Sequence, residues 1–138
     1  MRGVGSESVN RDPGTRCPCV SGLVFGECCE PILAGRRAAP TATALMRSRF
    51  TAFALGDRDH LLASWHPDTR PDELDLDDAT RWYRLDVESS RAGSPFDTEG
   101  EVTFTAFYRN GSERGSIHER SRFTRVEGRW VYLDGVVG

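Results

Sequence analysis

The sequence predicts an α+β protein, with helices packed on one face of a curved antiparallel sheet and a small cysteine-rich knuckle in front of them. Apolar residues recur at helical spacing between residues 40 and 66, then alternate at period two from residue 82 onward. Helical segments followed by a run of strands is the plan of an α+β domain. All four cysteines of the chain fall within "CPCVSGLVFGECC", at Cys17, Cys19, Cys28 and Cys29.

Composition narrows the function classes. A chain of 138 residues suits one domain with a small appended module. Three stretches are expected: a mobile polar leader over 1–15, the cysteine knuckle over 16–36 and the α+β domain over 37–138. The opening "MRGVGSESVNRDPGTR" has no apolar core of the kind a signal peptide needs, and no window approaches the roughly 18 apolar residues of a membrane helix. The expected location is the cytoplasm, with no membrane partner. A formal charge of −3 gives no case for nucleic-acid binding. All 18 basic residues are Arg, which coding bias in a GC-rich genome explains.

The cysteine spacing is C-x-C, eight residues, then C-C. Clustered cysteines in a reducing compartment point to metal or redox chemistry rather than to disulfides. Four thiolates on a loop can close a tetrahedron around zinc if the chain reverses between the pairs. Ser21-Gly22 supplies a reversal, since Gly tolerates positive φ, and Pro18 stiffens the first pair. The C-x-x-C of a thioredoxin-like pair is absent. Disulfides between the two cysteine pairs stay open as the reading for an oxidising setting.

In "TATALMRSRFTAFALGD", Thr41 is placed to cap a helix and Gly56 to close it. At about 100° per residue Leu45, Met46, Phe50 and Phe53 share one side, and Arg49 falls inside that stripe while Arg47 points elsewhere. Asp57 should cap a second helix, "RDHLLASWH", with Leu61, Leu62 and Trp65 inward, His60 facing solvent and Pro67 as the stop. Strand patterns follow. Tyr83, Leu85 and Val87 alternate with Arg84, Asp86 and Glu88, then Val102, Phe104, Ala106 and Tyr108 with Thr103 and Thr105. "NGSERG" and "EG" supply turns before "SIHERSRFTRV" and "RWVYLDG".

The knuckle resembles the SEC-C motif, C-P-C-x-S-G-x-x-[YF]-x-x-C-C, found at the C-terminus of the SecA translocation ATPase and in smaller proteins. The resemblance implies one structural zinc per chain on Cys17, Cys19, Cys28 and Cys29. Val20 stands where that motif usually has Gly, and its frequent Lys-rich stretch is replaced by "LVFGE". The blocks "APTATALMRSRFTAFALGDRDHLLASWHP" and "HERSRFTRVEGRWVYLDG" resemble the YchJ family of small bacterial proteins. That resemblance implies a nuclear transport factor 2-like (SnoaL-like) cone enclosing a pocket, and it carries no established activity. Many members have a second SEC-C motif, whereas this sequence runs out at "DGVVG".

Arg49 is the anomaly of the helical stripe, because a buried cation needs a partner. Glu119 shares strand parity with Ile117 and Phe123 and is the expected partner, with Asp134 in reserve on the face of Trp130 and Tyr132. A core ion pair and a ligand-facing Arg both fit. Pocket candidates are Arg49, Trp65, His66, Glu119, Trp130 and Asp134. His66 and His118 lack an evident base or nucleophile partner, and Ser21 and Ser121 lack a nucleophile-elbow context. The expectation is therefore a binding or adaptor protein rather than an enzyme, meeting a protein or ribosome-associated partner through the knuckle. A small-molecule site in the cone around Arg49 and Glu119 is the alternative.

Overall fold

The computed structural model describes residues 11–138, so the leader expected over 1–15 lies mostly outside the described residues. Its last part joins the knuckle: Phe25 N donates to Thr15 O at 2.7 Å and Gly26 N to Pro13 O at 2.9 Å. Three helices follow, α1 (Glu30–Leu33), α2 (Ala42–Leu55) and α3 (Arg58–Ala63). Four strands complete the chain, β1 (Thr80–Ala92), β2 (Glu99–Asn110), β3 (Glu113–Val126) and β4 (Arg129–Val137). They form one antiparallel meander in the order β1-β2-β3-β4.

Helix α2 begins and ends where its sequence signals stand. Thr41 Oγ1 accepts from Ala44 N at 3.0 Å, and Gly56 closes the helix at φ +76°. Its buried set is wider than an apolar stripe: Ser48, Arg49 and Thr51 are buried with Leu45, Met46 and Phe50. The helix lies between the knuckle, α3 and the sheet, so polar residues on its flanks are covered as well. Phe53, expected inward, sits at the rim at 36% exposure against Trp82.

Helix α3 is capped as expected, Asp57 Oδ1 accepting from His60 N at 3.0 Å, but it stops at Ala63 rather than at Pro67. Tyr132 N donates to Ser64 O and His66 N to Tyr132 O, each at 2.8 Å. These two bonds to edge strand β4 replace one more helical turn, which Pro67 would have cut short anyway. Trp65 therefore stands on the sheet edge. His60 is not solvent-facing: its Nε2 lies 2.9 Å from Ser48 Oγ, across the α2–α3 contact.

Two irregularities in the ladder change which side chains face inward. A bulge between Trp82 and Arg84 turns Trp82 toward α2 and leaves Tyr83 40% exposed, the reverse of the expected alternation. A second, opposite Arg122 and Phe123, takes up Leu133 and flips the parity of β4. Asp134 consequently pairs with Arg122 on the outer face instead of following Trp130 and Tyr132 inward. The β3–β4 turn is Glu127-Gly128, with φ of +53° and +81°, the primed geometry of a two-residue hairpin.

One packed core spans the molecule. Leu45, Met46 and Phe50 meet Leu85, Val102, Phe104, Phe123 and Trp130, and the same cluster includes Cys17, Cys19, Phe25 and Cys29. The cluster therefore runs from the 16–36 stretch into the helices and sheet. Burying Phe25 completely contributes roughly 1.5–3 kcal/mol. At the other end of α2, Ala42 N donates to Gly93 O at 3.0 Å, and the chain beside it is crowded. A Cβ on Gly100 would lie 2.6 Å from Gly93 Cα. Gly100→Ala should therefore cost about 1–3 kcal/mol through overpacking, read as a lower denaturation midpoint. An unchanged midpoint would show that this close approach is not tight.

Candidate metal centre and cavity

Each cysteine is delivered by a local device. The chain reverses at Ser21-Gly22, with Gly22 at φ +97°, and Cys17 N donates to Leu23 O at 3.0 Å to close the loop. A 3-10 turn, Phe25–Glu27, presents Cys28, and Cys29 is the N-cap of α1. The four Sγ atoms lie within 4.8 Å of one another. Cys19 and Cys28 are 3.6 Å apart, Cys28 and Cys29 3.9 Å. The edge of a Zn–S tetrahedron with bonds of about 2.3 Å is about 3.8 Å. All four cysteines are free thiols, so the disulfide reading does not hold.

The surroundings favour anionic sulfur at Cys19 and oppose it at Cys28 and Cys29. Hydrogen bonds from Cys17 and Cys29 pull the Cys19 thiol far below the ordinary range. Bonding to Cys17 and Cys19 together with burial pushes Cys29 up, and burial pushes Cys28 up to about 11. A divalent cation bound by these sulfurs would displace their remaining protons. Ser21 Oγ lies 3.2 Å from Cys28 Sγ, and Thr51 Oγ1 donates to Cys29 Sγ at 3.3 Å. Arg47, directed away from the cavity as expected, donates from Nη1 to Cys19 O at 3.0 Å and brings positive charge to the cluster. The donor set fits a tetrahedral, thiolate-bound metal ion.

On the opposite flank of α2 is a cavity of about 280 Å³, with Phe50, Phe53, Trp65, Trp82 and Tyr132 among its walls. Arg49 and Glu119 both line it, yet they do not form the expected ion pair within 4.0 Å. Arg49, 3% exposed, gives Nη1 to Leu61 O at 2.8 Å and to Ser64 Oγ at 2.7 Å. Its guanidinium carbon is 4.9 Å from the Trp65 ring centre and 4.6 Å from that of Tyr132. Glu119 instead accepts from Ser121 Oγ at 2.6 Å, with Tyr132 Oη 3.4 Å away. It lies over Gly135, where a Cβ would fall 2.1 Å from Glu119 Oε2. Sequence parity placed both groups inward but could not show that a helix-end carbonyl and a bare Gly draw them apart.

The remaining candidates lie elsewhere. Trp130 donates from Nε1 to Pro40 O at 3.3 Å, stacks under Arg125 and lines a separate cleft of about 540 Å³ with His60. His66 uses Nδ1 to accept from Asp68 N at 3.0 Å and is not among the lining residues. Asp134 is held by Arg122 outside. Tyr132 and Trp82, absent from the sequence-derived set, are cavity walls; Tyr132 shares strand parity with Trp130, whereas Trp82 depends on a bulge that alternation does not reveal.

His60 gives the region a pH dependence. Ser48 Oγ gives its proton to Leu45 O at 2.7 Å, so His60 Nε2 is the donor to Ser48. Burial, with nearby Arg49, depresses its pKa from 6.5 to about 4. Between those values the unfolded chain binds more protons, so stability is lost as pH falls through that window, on the order of 3 kcal/mol in full. His60→Gln should lose less stability than wild type between about pH 7 and pH 5 in paired denaturant titrations. Parallel losses would mean the imidazole is not buried neutral.

A family model described as "YchJ, middle NTF2-like domain" matches residues 41–135. A UPF0225 protein of Corynebacterium efficiens is 52% identical, covering 91% of this chain and 96% of its own. One from Streptomyces coelicolor is also 52% identical, over 89% and 96%. The solution structure of a SEC-C motif containing protein from Rhodopseudomonas palustris superposes with a TM-score of 0.78 at 36% identity, covering 88% of this chain and 98% of that one. A crystal structure of a SEC-C motif containing protein from Psychrobacter arcticus, 24% identical with a TM-score of 0.70 over 96% and 85%, has the same fold. A cysteine knuckle, three helices on a four-stranded meander and these matches together place the chain in the YchJ-like UPF0225 family, with an NTF2-like α+β fold.

Proposed function

We propose that this protein is a zinc-stapled, small-molecule-binding protein of the cytoplasm. The observation that carries the reading is the aromatic-walled cavity beneath α2, which Phe50, Trp65, Trp82 and Tyr132 border without filling. A mostly apolar concavity with a few fixed polar groups is the usual form of a ligand site. The reading is binding rather than turnover, since Glu119, Ser121 and Tyr132 are engaged with one another. Four cysteine sulfurs within 4.8 Å of one another favour zinc, which would hold the knuckle against α2 and supply no step at the cavity. Free thiols in this number suit a reducing compartment, and no helix among the described residues is long and apolar enough to cross a membrane.

A second reading, a macromolecular adaptor working through the knuckle, draws on Val20. This β-branched residue is held at φ +62° and is 53% exposed, next to Leu23 at 50%. Strain of that kind costs about 1–3 kcal/mol and tends to collect at functional positions. A protein or ribosome-associated partner would then meet the knuckle tip.

Protein purified without added metal should contain about one zinc per chain by elemental analysis. In a thermal-shift screen, small aromatic compounds should raise the melting temperature of wild type and not of Ala106→Phe, which fills the cavity. Stabilisation that survives in Ala106→Phe would contradict the cavity reading. A partner captured by wild type and by Ala106→Phe but lost with Leu23→Asp would favour the adaptor.

A further inference from the structure

Arg49 sits in the cavity with three of its five N–H donors unpaired among the described residues. Both recorded bonds leave from Nη1, to the neutral groups Leu61 O and Ser64 Oγ. Nε–H and the Nη2 hydrogens have no partner among the described residues, and the side chain is 3% exposed. No carboxylate oxygen of the described residues lies within 4.0 Å of it. Burial lowers its pKa to about 10, with Tyr132 and Glu119 offsetting only part of that effect. A buried, charged fork in this condition is unfavourable unless something else completes it.

The chain shows what that edge of an Arg does when it is satisfied. On the outer face, Arg122 uses Nε and Nη2 to clamp both oxygens of Asp134, at 2.6 and 2.5 Å. This is the planar two-point match between guanidinium and carboxylate. The corresponding edge of Arg49 is free, and aromatic rings stand beside it.

We propose that the ligand of this cavity is a small carboxylic acid, its carboxylate clasped by the Nε–Nη2 edge of Arg49 and its apolar body against Trp65, Tyr132 and Phe50. The inference rests on the cavity-binding reading above and adds the chemical class. Arg49 is the one basic side chain and Glu119 the one carboxyl side chain among the described lining residues. A monoanion balances the single charge of Arg49, whereas a phosphate near two negative charges would leave excess negative charge in a cavity with no second cation among the described lining residues. At about 280 Å³ the cavity falls just below the usual ligand-site range of about 300–1,000 Å³, so the body is a single ring or a short chain.

The test is an NMR titration of the metal-loaded protein with phenylacetate and with its neutral isostere phenylacetamide, following the Arg49 Nε–H resonance and the indole signals of Trp65 and Trp82. The expected result is saturable movement of the Arg49 resonance with phenylacetate, binding at least about tenfold weaker for the amide, and a comparable loss for Arg49→Lys, which keeps charge but not the fork. If Arg49→Lys fails to fold, the acid–amide comparison on wild type decides the matter. Equal affinity for acid and amide would overturn the carboxylate assignment while leaving the cavity reading intact. Failure of both probes to move the cavity signals would overturn both. Displacement of phenylacetate by equimolar inorganic phosphate would also overturn the carboxylate assignment.

Discussion

Thr51 sets one hydroxyl between two thiol sulfurs, donating to Cys29 Sγ at 3.3 Å and lying 3.7 Å from Cys17 Sγ. It is fully buried and belongs to α2, so the sulfur cluster is seated on that helix rather than hung from the end of the chain. Arg47, one turn earlier, reaches Cys19 O from the same helix. On the other flank α2 carries Met46, Arg49, Phe50 and Phe53 into the cavity wall. A single helix therefore takes its position from the knuckle on one side and gives the cavity its cation on the other. A stretch of about twenty residues cannot build a sufficient core by itself. Its order derives from the sulfur centre, the buried Phe25 ring and this shared helix.

Much of this architecture could be read from residue patterns, because the signals are local. Thr41 and Gly56 mark α2 through side-chain capping and left-handed φ, which depend on a few neighbouring atoms. Alternation through Val102, Phe104 and Ala106 places β2 with one buried face, and the two hairpin turns follow from Gly at positions needing positive φ. The sulfur cluster was legible for the same reason: all four cysteines lie on one short loop with a reversal between them.

What escaped was decided by bonds between segments far apart in sequence. The early end of α3 comes from backbone pairing with Tyr132, some seventy residues on. The bulges at Tyr83 and Leu133 change side-chain parity, and no period-two pattern contains them. Arg49 was visible as a misfit in an apolar stripe, and it is buried as that position implies. Its partner was not visible, because Leu61 O is a helix-end carbonyl and backbone acceptors carry no residue signature. An apolar stripe interrupted by a charge is where local rules and global packing disagree, and here that place is the cavity.

The central claim is that knuckle, α2 and sheet form one cooperative unit. Its most direct measurement is a denaturant titration of the metal-loaded protein, following far-ultraviolet circular dichroism, tryptophan fluorescence and metal release to a chromogenic chelator in the same samples. The account predicts three coincident transitions with a common midpoint, as two-state unfolding requires. Complete metal release at lower denaturant, with the sheet and tryptophan signals still native, would show the knuckle to be an independent module and contradict it.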